Sequence, residues 1–73
     1  MDAVEEILAA LEENRTWRDE LDVDTTMARA ELTDLLARGA RLRASGLTIT
    51  RMADAAGISR ETAHKLLRRV TDG

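Results

Sequence analysis

The chain has no cysteine, no proline, no phenylalanine and no tyrosine, and Trp17 is its one aromatic residue. Without cysteine there can be no disulfide, thiolate metal ligand or thiol nucleophile, which excludes redox and cysteine-based chemistry together. With so few aromatic groups the core has to come from Leu, Ile, Val, Met and Ala carried on helices. No proline, internal repeat or low-complexity tract divides the sequence. No apolar run approaches the roughly 18 residues a membrane span needs, and the acidic start at Asp2, Glu5 and Glu6 lacks the basic region of a signal peptide. A cytoplasmic, nucleoid-associated location is therefore expected, with no membrane partner. Lysine is nearly absent too: Lys65 stands alone among Arg residues, a usage that fits a GC-rich genome such as that of an actinobacterium or its phage.

What is present is charge, and it is unevenly placed. The net charge of −3 over 73 residues conceals two opposed parts. Residues 1–24 hold nine acids against two bases, or −7, while residues 25–73 hold five acids against nine bases, or +4. Such asymmetry points to a basic binding surface joined to an acidic part. A chain this short supports one domain and one modest core, since it buries only about 60% of its unfolded surface. A partner chain is thus an attractive source of further burial.

Helical periodicity runs through most of the sequence. Asp2, followed by Glu5, makes a cap-like start, and Val4, Ile7, Leu8 and Leu11 repeat at helical spacing, predicting a first helix over Ala3–Asn14. Its other face carries Glu5, Glu6, Glu12 and Glu13, a solvated row whose first members complement the helix dipole. From Arg15 to Asp24 the period is lost, which predicts a connector with Trp17, Leu21 and Val23 turned inward and Trp17 as a core plug. Asp22 and Asp24 alone are weak grounds for a metal site; Asp24 or Thr25 suits the N-cap of the next helix. Ala28, Leu32, Leu35, Leu36, Gly39 and Leu42 then form one stripe, predicting the longest helix over Thr26–Ala44. Gly39 inside it suggests close helix crossing, because glycine costs about 1 kcal/mol relative to Ala there. Ser45-Gly46 supplies the stop, Gly46 being suited to a left-handed C-terminal residue.

The segment 47–70 carries the functional signal. Thr48 can cap a short helix whose inward face is Ile49, Met52, Ala53 and Ala56; Gly57 permits positive φ; Ile58 plugs the angle; Ser59 caps a second helix with Ala63, Leu66, Leu67 and Val70 inward. The expected architecture is an all-α, small four-helix domain spanning residues 1–73, with an acidic helical part at 1–46. Met52-Ala53, then Gly57 four residues on, Ile58 directly after it, and apolar positions at Ala63 and Leu66 resemble the helix-turn-helix family, particularly the recognition domains of small repressors and resolvase-type recombinases. Ala63 departs from that pattern, which carries Val or Ile there. The resemblance covers residues 47–70 and implies sequence-specific binding of double-stranded DNA by a transcriptional regulator.

Arg60, Glu61, His64, Lys65 and Arg68 share the outward face of the second helix. If that helix leads into the major groove by its N-terminal end, Arg60, Glu61, His64 and Lys65 meet base edges, with Arg60 suited to guanine O6 and N7 and Glu61 suited to cytosine N4 or to orienting a neighbouring Arg. Thr50, Arg51, Ser59, Thr62 and Arg68 are placed for phosphates. The resemblance implies backbone contacts for Ser59 and Thr62, near a helix N-terminus that favours an anion.

An enzyme is not expected. There is one His, no glycine-rich phosphate loop, and no Ser–His–acid set that so short a chain could hold in a dry pocket. His64 has no companion ligands for a metal, and no cofactor or small-molecule ligand is implied. The competing reading is a helical protein-interaction module, antitoxin-like or polymerase-associated, acting through its acidic N-terminal half. The two can coexist, with residues 1–46 forming a homodimer or partner surface and a palindromic DNA site whose half-sites lie about 34 Å apart.

Overall fold

The computed structural model describes residues 2–21 and 26–72; their regular secondary structure is helical throughout, with no strand among them. Four α-helices follow in order: α1 (Ala3–Leu21), α2 (Thr26–Ala40), α3 (Ile49–Ala56) and α4 (Arg60–Asp72), with a single 3₁₀ turn at Arg43–Ser45 before α3. Helix α1 packs on α2 and α3, and α4 packs on the same two helices. The body is flattened, with extents of 34 × 31 × 17 Å.

Helix α1 starts as expected: Asp2 Oδ1 accepts from the Glu5 amide at 2.8 Å, a side-chain cap. It does not end at Asn14. It continues to Leu21, so the expected connector over 15–21 is helix. The reason is that the apolar stripe passes into polar side chains that are nevertheless inward. Ile7, Leu11, Asn14 and Arg18 recur at steps of four, three and four, and Asn14 is 1% exposed. Its Nδ2 donates to the Ala28 carbonyl of α2 at 3.1 Å, and its Oδ1 accepts from Arg18 Nε at 2.7 Å. Trp17 is also corrected: it is only half-buried and is not among the side chains that form or pack on the core. Val23 and the expected caps Asp24 and Thr25, like Asp22 and the side chain of Leu21, lie outside the described residues.

Helix α2 presents Ala28, Leu32, Leu35, Leu36 and Gly39 to the interior. It ends at Ala40, four residues earlier than expected, and tight bonds take over: Leu42 N to Gly39 O at 2.9 Å and Ser45 N to Leu42 O at 2.9 Å. Gly46 then reverses the chain at φ 95°, which sends Leu47, 1% exposed, back into the core. The core joins Leu11, Leu32, Leu35, Leu36, Leu47, Met52, Ala53, Ala56 and Ala63, all aliphatic or Met.

Gly39 is the point of close approach. A Cβ at this position would run into Met52 Sδ and would lie 3.1 Å from Leu47 Cδ2 and 3.2 Å from Ile7 Cγ2. Three elements close on one missing side chain, and Met52 is fully buried, with no solvent to retreat into. We expect Gly39→Ala to lower stability by about 1–3 kcal/mol through overpacking, despite the gain in helix propensity of about 1 kcal/mol. Urea unfolding monitored by circular dichroism checks this, and an unchanged or raised midpoint would contradict the packing.

Candidate nucleic-acid interface

The C-terminal helix pair is built by short-range chemistry. Thr48 Oγ1 accepts from the Arg51 amide at 3.2 Å and starts α3. Gly57 ends it at φ 69°, its amide reaching back to the last turn. Such a left-handed residue costs a non-glycine about 1–2 kcal/mol. Ile58, half-buried, packs against the core from the angle between the helices, and Ser59 Oγ accepts from the Thr62 amide at 3.1 Å to start α4. The same hydroxyl lies 2.8 Å from Thr62 Oγ1, as donor to it. Ala63 is fully buried in the core cluster, while Leu66 and Leu67 pack on its edge. Val70, expected inward, is 48% exposed: α4 has run past the body it rests on by that turn.

With one side of α4 held in this way, the other side faces water. Arg60, Glu61, His64, Lys65 and Arg68 are all exposed and together line a shallow groove along the helix. Among the described residues, the one ion pair on this face is the i,i+4 contact between Lys65 Nζ and Glu61 Oε1, at 3.9 Å. At such exposure it contributes little, about 0.3–0.5 kcal/mol, and it is easily exchanged for another partner. Glu61 therefore lies beside Lys65, where a neighbouring Arg was one of the two expectations. Among the described residues Arg60, His64 and Arg68 are in no ion pair. The face can offer guanidinium, ammonium and imidazole donors with one acceptor among them.

The remaining expected contacts are divided. Ser59 and Thr62 stand at the N-terminus of α4, their hydroxyls exposed but already engaged with each other. Thr50 is exposed in the first turn of α3. Arg51 belongs to a different groove, shared with Leu8, Glu12, Asp54 and Ala55 on the α1–α3 side, and its Nη1 donates to the Gly46 carbonyl at 3.4 Å. Neither Thr50 nor Arg51 lines the α4 groove. Among the described residues no group of three or more His, Asp or Glu side chains is arranged to hold a metal ion.

Two residues outside the expected set hold this interface in position. Arg18 Nη2 donates to the Ala56 carbonyl at the end of α3, one of the carbonyls that a helix C-terminus leaves without an intrahelical partner. Arg15 lies over Gly57: a Cβ there would come within 2.6 Å of Arg15 Nε and 2.8 Å of its Cδ. The second half of α1 thus clamps the turn that sets the direction of α4. The legible signal was the inward step from Leu11 to positions 14 and 18, but a hydrophobicity reading passes over Asn and Arg.

Comparison of the chain with protein-family models, with curated proteins and with solved structures finds no match.

Two outcomes follow from the clamp. Arg18→Met is expected to cost about 1.5–3 kcal/mol, as for hydrogen bonds to a charged group. Combined with Asn14→Ala it should cost clearly less than the sum, because the two side chains form one network; additive losses in urea melts would show the network to be unimportant. Gly57→Ala should cost about 1–2 kcal/mol for the left-handed backbone, and adding Arg15→Ala should recover only the part due to collision. Full recovery in the double variant would mean that sterics alone select glycine.

Proposed function

We propose that the chain binds double-stranded DNA in a sequence-dependent way and acts as a transcriptional regulator, with α3 and α4 working as a helix-turn-helix and α4 seated in the major groove. The observation that carries this reading is the exposed row Arg60, His64, Lys65 and Arg68, with Glu61, on a helix whose opposite side is buried. A helix about 10–12 Å across, fixed by its apolar side and cationic on the other, suits the roughly 12 Å width of that groove.

Roles follow from position along α4. Arg60, one residue after the cap, reaches deepest when the N-terminal end leads, and its planar fork matches guanine O6 and N7. Glu61 in the same first turn, and His64 and Lys65 in the next, complete the base-reading set. Arg68, Ser59 and Thr62 serve the phosphates, with Thr50 and Arg51 doing so from α3, and the Arg60 and Glu61 amides at the start of α4 add to anion binding. The acidic first half opposes non-specific attraction to the duplex. Affinity then has to come from fitted contacts more than from bulk charge.

Selection of bound sites from random duplexes tests the reading directly. The expected result is one enriched motif; a palindromic motif would report two copies per site and an asymmetric one a single copy. Arg60→Ala should erase preference at one base pair, a loss of about 1–3 kcal/mol there, whereas Arg68→Ala should weaken all sequences alike and reduce the salt slope by about 1. No enrichment at low salt, with the wild-type chain folded, would remove DNA binding.

A further inference from the structure

We propose that the outer face of α1 is a docking surface for a cationic helical segment of another protein, with Trp17 as its aromatic platform. The face shares no residue with the α4 groove, so the proposal stands apart from DNA binding.

The surface is a shallow groove lined by Ala9, Glu12, Glu13, Thr16, Trp17 and Glu20. All six come from one helix at steps of three and one, so they form a continuous stripe about 17 Å long at the helical rise. Trp17 is the key to it. The chain's one aromatic side chain lines this groove, partly buried, and is not among the described residues that form or pack on the aliphatic core. The part of the ring that lines the groove supplies an apolar contact among carboxylates.

Charge identifies the occupant. Glu12, Glu13 and Glu20 are exposed, and none is in an ion pair among the described residues. The basic residues of the same helix are turned to other work: Arg18 to Asn14 and Ala56, Arg15 to Asp19 at 3.9 Å and to the surface of Gly57. Arg51 of α3 shares a neighbouring groove with Glu12 without an ion pair, and Glu13 and Glu20 have no ion-pair partner among the described residues. Glu13 lies one helical turn before Trp17 and Glu20 one turn after it, so carboxylates bracket the indole. A guanidinium laid flat on that ring can direct its edge N–H groups to both sides. Nucleic acid and anionic lipid are repelled here, an acidic segment likewise, and a second α1 would oppose carboxylate to carboxylate. A helix with Arg at i, i+4 and i+7 matches the spacing of Glu13, Trp17 and Glu20, a span of about 10 Å.

Trp17 also supplies the readout, because with no tyrosine in the chain it is the dominant source of intrinsic fluorescence. The full chain is titrated with an Ala/Gln-based helical peptide free of aromatic residues and carrying Arg at i, i+4 and i+7, and in parallel with the same peptide carrying Glu instead. We expect a saturable change in indole emission with the Arg peptide only, with a midpoint that rises as salt is added. Followed by anisotropy of a labelled peptide, Trp17→Leu should weaken binding about two- to fivefold, and Glu13→Gln with Glu20→Gln about three- to tenfold. Both variants alter exposed or half-exposed positions, and circular dichroism confirms that they fold. No saturable change, equal binding of the Glu peptide, or unchanged affinity in Trp17→Leu would overturn the proposal. So would emission that shifts with protein concentration alone and loses that dependence in Lys65→Glu/Arg68→Glu, since the occupant would then be α4 of a second copy. Arg60→Ala should leave the peptide titration unaltered whether or not DNA is bound elsewhere.

Discussion

The hydrogen-bonded chain from the Ala28 carbonyl through Asn14 and Arg18 to the Ala56 carbonyl joins three helices at one buried point. An isolated amide at 1% exposure would be costly to bury, about 1–3 kcal/mol if left without partners. Here the amide donates at one end and accepts at the other, and no buried side-chain polar atom among the described residues is left unsatisfied. The guanidinium extends the link to the end of α3, where a cation is favoured by the helix dipole as well. Apolar packing permits α1 to slide or rotate over α2 and α3 at small cost. Directional bonds to two particular carbonyls do not, and so the position of α1 is defined.

The direction of α4 depends on that definition at one remove. Gly57 turns the chain at φ 69°, and Arg15, one residue from Asn14, lies over it. The turn is held by the Gly57 and Ile58 amides, which donate to carbonyls of Ala53 and Asp54, while the exposed Arg15 side chain lies over it. A small chain with no aromatic core has little packing area to spare, and it compensates by close approach: Ala28, Ala53, Ala56 and Ala63 are all buried, and Gly39 leaves room for Met52, Leu47 and Ile7. Small residues at the crossings let helices come near enough for dispersion contacts to accumulate across a thin body.

Apart from Met27 and Val70, the large apolar side chains among the described residues are buried or half-buried, so the exposed faces differ mainly in charge. Helix α1 shows carboxylates around Trp17, and α4 shows Arg, Lys and His. The proposed readings assign these faces to unlike partners, a duplex for one and a cationic helix for the other. Keeping the two sets on separate helices spares each from neutralisation by the other, as the weak Lys65–Glu61 contact at 3.9 Å illustrates on the smaller scale.

Much of this was legible residue by residue. Caps at Asp2, Thr48 and Ser59, the left-handed glycines 46 and 57, and the inward stripes of α2 and α3 are local features, decided by hydrogen bonds and φ values within a few positions of each other. The exposed row of α4 is equally local, since residues three and four apart share a helix face whatever the rest of the chain does. Position 70 shows the limit of that logic: its periodicity is inward, yet Val70 is 48% exposed. The second half of α1 lay beyond local reasoning altogether. Asn14 looks like a helix end, and Arg15, Trp17 and Arg18 look like a connector, until the carbonyls of Ala28 and Ala56, 14 and 38 positions from Asn14 and Arg18, are brought beside them. Sequence alone determined which segments are helices at their starts and turns, and which side of α4 is cationic. Only the tertiary structure decided how far α1 runs, that Trp17 stays outside the core, and what holds α4 in place, because those outcomes rest on partners that are distant in the chain and adjacent only after folding.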